Sequence, residues 1–410
     1  MNPKHKSFLA CFAILMNIQF MIFQFLIKSK TVSPDFLIFY ETSERFLSGE
    51  NVYFSKNGDI GYAPTLLYFL LSPLTLLDRQ IASNLFIVIN YVIILLIILL
   101  LSRFLSMKYL LVVLTVLNAS FSVRSIINNG QIGVIVLLMQ LFFLIVADKK
   151  STKDLLLKSA ILFLMLSLKP YLILPYFIYL IVSRKKEVFI AANYALLFEV
   201  IYFLINPTST IFNYLKLIFK RSQGTKKEID QSSLLSLVNG NKIIFIIYLI
   251  LILIFTYRNF PKIEQNRIVA LFILAPLISI YFHRQDSVFA ILIFSLLLIN
   301  RDHHFIGILL LLLFHTGTFN IYFLLQLLVM LFVLMLLIPL RKKVVFSVAA
   351  GLVAYSFIIN FINTNFGYEA AYQLWTPLVF AFQILVYVYY LKYNKNRNIY
   401  VSFGNKSSGQ

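Results

Sequence analysis

GYAPTLLYFLLSPLTLL, residues 61–77, is the stretch on which the topology turns. It is apolar enough to enter a bilayer, and if it crossed, every later loop would change sides. It is only seventeen residues long, whereas about twenty residues at about 1.5 Å rise cover a bilayer core. Pro64 and Pro73 each remove a backbone donor and disrupt a helix. The segment is therefore expected on, or dipping into, one membrane face as an interfacial or re-entrant helix. Non-helical backbone at that depth must be covered by protein or line a wet cavity.

The flanking sequence is what makes a membrane the setting. Apolar residues form 60% of the 410, and mean hydropathy is +0.86, far above a globular domain. Composition thus overrules the two or three soluble domains that length alone would suggest. Apolar runs fall near 8–27, 82–102, 109–123, 131–147, 154–168, 170–183, 187–205, 242–257, 267–282, 286–300, 304–314, 320–339, 343–362 and 375–391. The expected fold class is an all-α polytopic membrane protein with about 12–14 transmembrane helices.

The loops orient it. RFLSMK (103–108), DKKSTKD (148–154), SRKKE (183–187), YRNFPKIEQNR (257–267), LRKKV (340–344) and the tail from Lys392 are basic, hence cytoplasmic by the positive-inside rule. NNGQ (128–131), HTGTFN (315–320) and NTNFGYEAAYQLW (363–375) hold no Lys or Arg and fall outside. Both termini are then cytoplasmic in a multi-pass cell-membrane protein. Residues 1–391 form a single transmembrane domain, residues 28–80 and 206–241 are outer-face loops with interfacial helices, and 392–410 is a disordered cytoplasmic tail. The first span has a basic lead and no A-x-A-like site, so it reads as an uncleaved anchor. Cys11, the sole cysteine, excludes an intramolecular disulfide. The net charge of +20 is scattered between spans, which fits topology and not a nucleic-acid partner.

The first outer loop is unusually polar. In SPDFLIFYETSERFLSGENVYF (33–54), Phe36, Phe39, Tyr40, Ser43, Phe46 and Leu47 recur at helical spacing, with Asp35, Thr42 and Arg45 opposite. Ser33 suits the N-cap, Pro34 the first helical position and Gly49 the stop. An amphipathic helix on the outer surface follows. Asp35 in its first turn complements the helix dipole by about 0.3–1 kcal/mol. Glu41 and Glu44 read as a solvated face partly paired with Arg45.

The remaining polar groups gather on that side. Arg124, Asn128, Asn129, Gln131, Lys169, His283, Arg284 and Asp286 fall at outer ends of spans, and Glu199 lies in an outer half. Ionisable groups cost about 2.5–3.5 kcal/mol at a helix centre, so they face a cavity or a partner. Ion pairing, for instance Glu199 with Lys169 or Arg124, explains one or two of them and not a one-sided gathering. The cytoplasmic side has no Gly-rich phosphate loop, no D-x-D pair and no nucleotide-sized soluble domain; RDHH (301–304) is a weak cluster.

The ordered series is an early Asp, FLSGENVY, GYAPTLLYFLLSPLTLL, INNGQIGVIVLL, LSLKPYLILPYFIYLIVSRKK, IDQSSLLSLVNG and LISIYFHRQDSVFAILIF. Over roughly residues 30 to 300 it resembles the GT-C membrane glycosyltransferases, most closely glycosyltransferase family 87, which includes polyprenyl-phosphate-mannose-dependent mannosyltransferases. The resemblance implies a GT-C-like bundle with outer-face juxtamembrane helices and a hexosyltransferase with its active site outside. The donor would be a polyprenyl-phosphate sugar, expected mannose, and the acceptor a cell-envelope glycolipid or glycan, with membrane lipids as surroundings.

Asp35 would be the catalytic base. Lys169, His283, Arg284 and Arg124 would meet the donor phosphate, and Glu41, Tyr62, Asn129, Gln131 and Glu199 the substrates. The chain has YFHRQD where the family commonly shows a Trp and paired His. Asp35 has no acidic neighbour before Glu41, so neither metal nor cofactor is expected. The basic run Lys216, Lys220, Arg221, Lys226 and Lys227 suits the departing phosphate or anionic headgroups. An O-antigen or capsule polymerase and a lipid-linked sugar flippase are the rival readings.

Overall fold

The computed structural model describes residues 3–54, 61, 63–147, 149, 151–223, 242–279, 289–293, 361, 364, 365, 380, 381 and 383–392. Among these the chain is all-α, without a strand. The expected spans near 304–314 and 320–339, that near 343–362 except residue 361, and the tail beyond residue 392 lie outside the described residues.

Residues 61–77 do not form one helix. Pro64 caps α3 (Thr65–Leu71), and a 3-10 turn over Ser72–Leu76 takes up Pro73. Thr65, Leu66, Leu67, Tyr68 and Leu71 are buried. The pair reaches less than about 20 Å at helical rise, short of an approximately 30 Å hydrocarbon core.

Around it run α1 (Pro3–Lys28), α2 (Pro34–Leu47), α4 (Arg79–Leu101), α5 (Met107–Ala119) and α6 (Phe121–Asn129). They are followed by α7 (Gly133–Val146), α8 (Thr152–Leu168), α9 (Leu174–Val182), α10 (Lys186–Ile205), α11 (Ile211–Gln223), α12 (Lys242–Asn259) and α13 (Glu264–Ile278). Among the described residues, α4 and α10, of 23 and 20 residues, are long and apolar enough to cross a bilayer; α7 and α12 are apolar but shorter. The span expected over 109–123 is broken. Ser120 leaves the helix, and its hydroxyl accepts the Val123 N–H at 3.3 Å, starting α6.

Packing follows the apolar faces. α8 lies along α10, α1 along α5, α4 along α7 and α9 along α13. A buried polar knot ties the first pair of early helices. Asn17 donates to Thr115 Oγ1 at 3.1 Å and accepts from Asn118 Nδ2 at 2.8 Å, the kind of bond that joins helices in an apolar medium. Outward, α10 presents Leu196, Leu197, Val200, Phe203 and Leu204, and α12 presents Ile243, Ile246, Ile247, Ile250 and Leu251, all exposed. Exposed apolar ladders of that extent mark a surface that meets lipid or protein.

α2 forms as expected, with a shifted buried face. Phe36, Phe39, Tyr40, Ser43 and Phe46 are buried, but so is Thr42, while Leu47 is exposed. Thr42 turns its hydroxyl onto the Ile38 carbonyl at 2.6 Å, which lets it enter the core. Leu47 is the last residue of the helix. The Phe46, Phe69 and Tyr202 rings meet at 5.6–6.3 Å and join α2, α3 and α10; Phe36 lies 5.1 Å from Phe86 of α4.

Behind α2 the chain is sewn to the loop after α10. Gly49 takes φ +76, and the N–H groups of Gly49 and Glu50 close on Phe46 O and Arg45 O, a left-handed C-terminal cap. Fully buried Asn206 donates to Phe46 O at 3.0 Å and Glu50 O at 2.8 Å. Asn51 Nδ2 donates to Thr208 O at 2.8 Å, the Val52 N–H to Ser209 Oγ at 3.2 Å, and Thr65 Oγ1 to Ser209 O at 2.9 Å. Burial lifts the Tyr53 phenol well above its ordinary pKa, so it stays neutral in its 2.7 Å bond with Thr65.

Candidate active site

The site is built where the first turn of α2 meets the turn that ends α6. Ser33 occupies the N-cap position and Pro34 follows it, but the Ser33 hydroxyl makes no capping bond. Instead the Ser33 N–H donates to Ser83 Oγ of α4 at 3.0 Å, which pins the start of α2 to the bundle. Asp35 then sits in the first turn, half-buried, where the helix dipole favours a carboxylate.

α6 stops at Gly130, with φ +70, and the N–H groups of Gly130 and Gln131 close on Ile127 O and Ile126 O. This backbone leaves no room for a side chain. A Cβ on Gly130 would lie 2.5 Å from Phe36 Cβ and 3.0 Å from Ser33 Cβ. The turn therefore rests directly on the first turn of α2 and brings Gln131 to Asp35. Nε2 of Gln131 donates to Oδ2 of Asp35 at 2.5 Å, with Gln131 buried.

The other expected site residues divide. Arg124 is buried on α6, one turn from Asn128 on the same face. Asn129 is half-buried and bonds back to Ser125 Oγ at 3.3 Å. Lys169 ends α8 in an extended conformation (φ −144°, ψ 77°), as a residue before proline prefers, and its buried ammonium lies 6.0 Å from the Tyr171 ring.

Glu41 and Glu44 do not turn to Arg45. Both reach Arg79 at the start of α4, at 3.2 and 3.6 Å, while Arg45 takes Glu50 at 3.9 Å. Glu199, expected to meet substrate, accepts the Ile211 N–H at 3.2 Å and so caps α11 from α10. Lys216 lies with Nζ 5.8 Å over the Phe54 ring. Tyr62, His283, Arg284, Asp286, Lys226, Lys227 and RDHH lie outside the described residues.

Several supporting residues escaped the sequence reading: Ser83, Arg79, Gly130 and Asn206. Two of them carried a local signal. Asn129–Gly130 is a turn dipeptide, and Asn206–Pro207 an Asx turn start. Ser83 and Arg79 carried none, because only the folded bundle brings α4 to α2.

Chemically, a carboxylate held by an amide donor at a helix start is fixed in place and can take a proton from a hydroxyl within hydrogen-bond reach. The family model for glycosyltransferase family 87 matches residues 62–298, more than half of the chain. Gln131, Arg124, Asn129, Lys169 and Glu199 lie inside the matched stretch, and Asp35 and Glu41 precede it. No curated protein and no solved structure matches the chain. With its matched stretch running from the turn before α3 past α13, the chain belongs to glycosyltransferase family 87.

Proposed function

We propose that this glycosyltransferase is an inverting, polyprenyl-phosphate-sugar-dependent hexosyltransferase of the outer membrane face. It moves a hexose, expected mannose, to a glycolipid or glycan acceptor, with Asp35 as base. The observation that carries the reading is the hydrogen bond from Gln131 to Asp35. It joins the acidic first loop to the family-matched part of the chain and fixes one carboxylate beside the turn of α6, the helix that bears Arg124.

The reaction needs little else. Asp35 takes the proton of the acceptor hydroxyl as that oxygen bonds to the anomeric carbon from the face opposite the phosphate. The bond from the anomeric carbon to the phosphate oxygen breaks, and the phosphate leaves with the electron pair. A lipid phosphate is a stable leaving group and needs no strong general acid, unlike the alcohol lost in glycoside hydrolysis. Its growing charge is met by cations, the role assigned to Arg124, Lys169, His283 and Arg284. Asn129 and Tyr62 are assigned to substrate binding, and Gln131 acts on the substrates through Asp35, which it holds in place. Glu41 and Glu199 have structural partners in Arg79 and the start of α11, which favours a positioning part for both.

Three features support the polytopic, outer-face setting. α4 and α10 have bilayer length, the apolar ladders of α10 and α12 face outward, and residues 49–52 of one expected outer loop bond to 206–209 of the other.

The test supplies purified protein with radiolabelled polyprenyl-phosphate-mannose and a membrane extract. Label is expected to pass into a glycolipid or glycan, and to stay in the donor with Asp35→Asn. Near-normal turnover by Asp35→Asn overturns the assignment of the base. A donor that is moved across vesicles but never consumed overturns the transferase reading.

A further inference from the structure

A charged cavity lies among α7, α8, α9, α10 and α13, next to loops expected on the cytoplasmic side. It encloses about 660 Å³. Five cations line it: Lys149, Lys158, Arg184, Lys185 and Lys186. Among the described residues, only Glu187 and Glu264 oppose them.

The carboxylates are already engaged. Lys158, buried on α8, reaches Glu187 at 3.3 Å and donates to Ala147 O and Lys149 O. Glu264 takes Lys185 at 3.5 Å, Arg267 at 3.5 Å and the Tyr179 hydroxyl at 2.9 Å. Arg184 and Lys186 stand exposed at the mouth, so the cavity holds a surplus of positive charge.

The backbone at the mouth is informative too. α9 ends in a left-handed cap in which the Arg184 and Lys185 N–H groups close on Ile181 O and Leu180 O. Glycine favours that position, yet Arg184 occupies it at φ 51, the one positive-φ residue other than glycine among the described residues. A strained conformation held by a charged residue at a cavity is an indication of use. On the same turns of α9 and α8 that supply Tyr176, Leu180, Leu155 and Lys158 to the lining, Ile178, Ile181, Val182, Leu156 and Leu157 are exposed and apolar.

We infer that this cavity is a binding site for the phosphate group of an anionic phospholipid, with its acyl chains lying along the apolar sides of α8 and α9. Cations between helices with lipid-facing flanks are the arrangement that recognises such headgroups. A free phosphate would use the cations and leave the apolar flank idle. The inference goes beyond the transfer reaction, and nothing in it depends on Asp35.

The experiment follows thermal unfolding of the purified full chain in neutral detergent by circular dichroism. Short-chain phosphatidylglycerol, phosphatidylcholine and inorganic phosphate are titrated separately. Phosphatidylglycerol is expected to raise the midpoint, and the other two at equal concentration to leave it in place. In Arg184→Gly the ligand-free midpoint is expected to hold or rise, since glycine suits the cap. The phosphatidylglycerol needed for half the shift should increase about fivefold, and about 25-fold with Lys186→Gln added. An equal shift with phosphatidylcholine, or an unaltered response in the double variant, overturns the site. The full shift with inorganic phosphate overturns the lipid as its occupant. Transfer activity is not measured, so failure here leaves the proposed reaction untouched.

Discussion

Gln131 and Asp35, 96 residues apart, are joined by a hydrogen bond from amide Nε2 to carboxylate Oδ2. The bond exists because the turn at Gly130 lies flat on the first turn of α2, and it makes Gln131 the positioning residue for the proposed base.

Replacing the base and its positioner should therefore have separable effects. Asp35→Asn is expected to lower kcat by at least about 100-fold, the lower end of what general-base catalysis contributes. Gln131→Ala keeps the carboxylate but releases its orientation, and should lower kcat by about 10- to 100-fold with KM little changed. Steady-state transfer assays on both variants, at matched protein abundance, decide it. Equal and negligible losses for Gln131→Ala in kcat would leave the bond without a catalytic part.

Gly130 and Gly49 both take left-handed backbone, but only one is crowded. Around Gly49 no atom lies within 4 Å of an added Cβ, whereas at Gly130 the Cβ meets Phe36 at 2.5 Å. Gly49→Ala should cost about 1 kcal/mol of conformational strain. Gly130→Ala adds overpacking and should cost about 3 kcal/mol and disturb transfer. Thermal unfolding of the two variants side by side distinguishes strain alone from strain with a clash.

Asn206 satisfies two carbonyls at the end of α2 from a fully buried position. Asn206→Ala leaves Phe46 O with only the Gly49 N–H and Glu50 O with only the Ser209 hydroxyl, each at 3.3 Å, and should destabilise by about 1–2 kcal/mol. Asn206→Asp keeps the oxygen that Thr208 uses but not the donating amide, so it should be no better than alanine. An aspartate variant as stable as the parent would remove the amide from the account.

Two ion pairs of similar length should behave very differently. Lys158 and Glu187 are largely buried at 3.3 Å, whereas Arg79 and Glu41 are largely exposed at 3.2 Å. Breaking the first with Glu187→Gln leaves a buried ammonium short of its counter-charge and should cost about 3 kcal/mol. Arg79→Ala should cost at most about 1 kcal/mol and fade in salt. Unfolding at low and high ionic strength reads both.

The local signals in the chain carried far. Pro64 and Pro73 marked 61–77 as a disrupted helix, though not the 3-10 turn that takes up Pro73, and Ser33–Pro34 with Gly49 bounded α2. Asp35 and Gln131 were both legible as polar residues at a helix edge, but their bond was not, since pairing across 96 positions is set by packing and not by spacing. The same reason hid Arg79, which outcompetes Arg45 for Glu41 and Glu44 because α4 enters beside them. Ser120 breaks the 109–123 run within the more polar stretch 118–122: its hydroxyl offers a cap, and apolar periodicity is blind to that. Glu187 read as the acidic end of the loop SRKKE and Lys158 fell inside the expected span 154–168, and nothing linear marked them as a buried couple.

The seam between residues 49–52 and 206–209 gives the molecule a mechanical property as well. Because Asn206 grips the carbonyls at the end of α2 while Glu199 holds the start of α11, the acidic loop and the far end of α10 cannot come loose one at a time. In amide exchange they would open as a single cooperative block, so whatever tugs on α11 is felt at the helix that carries the carboxylate.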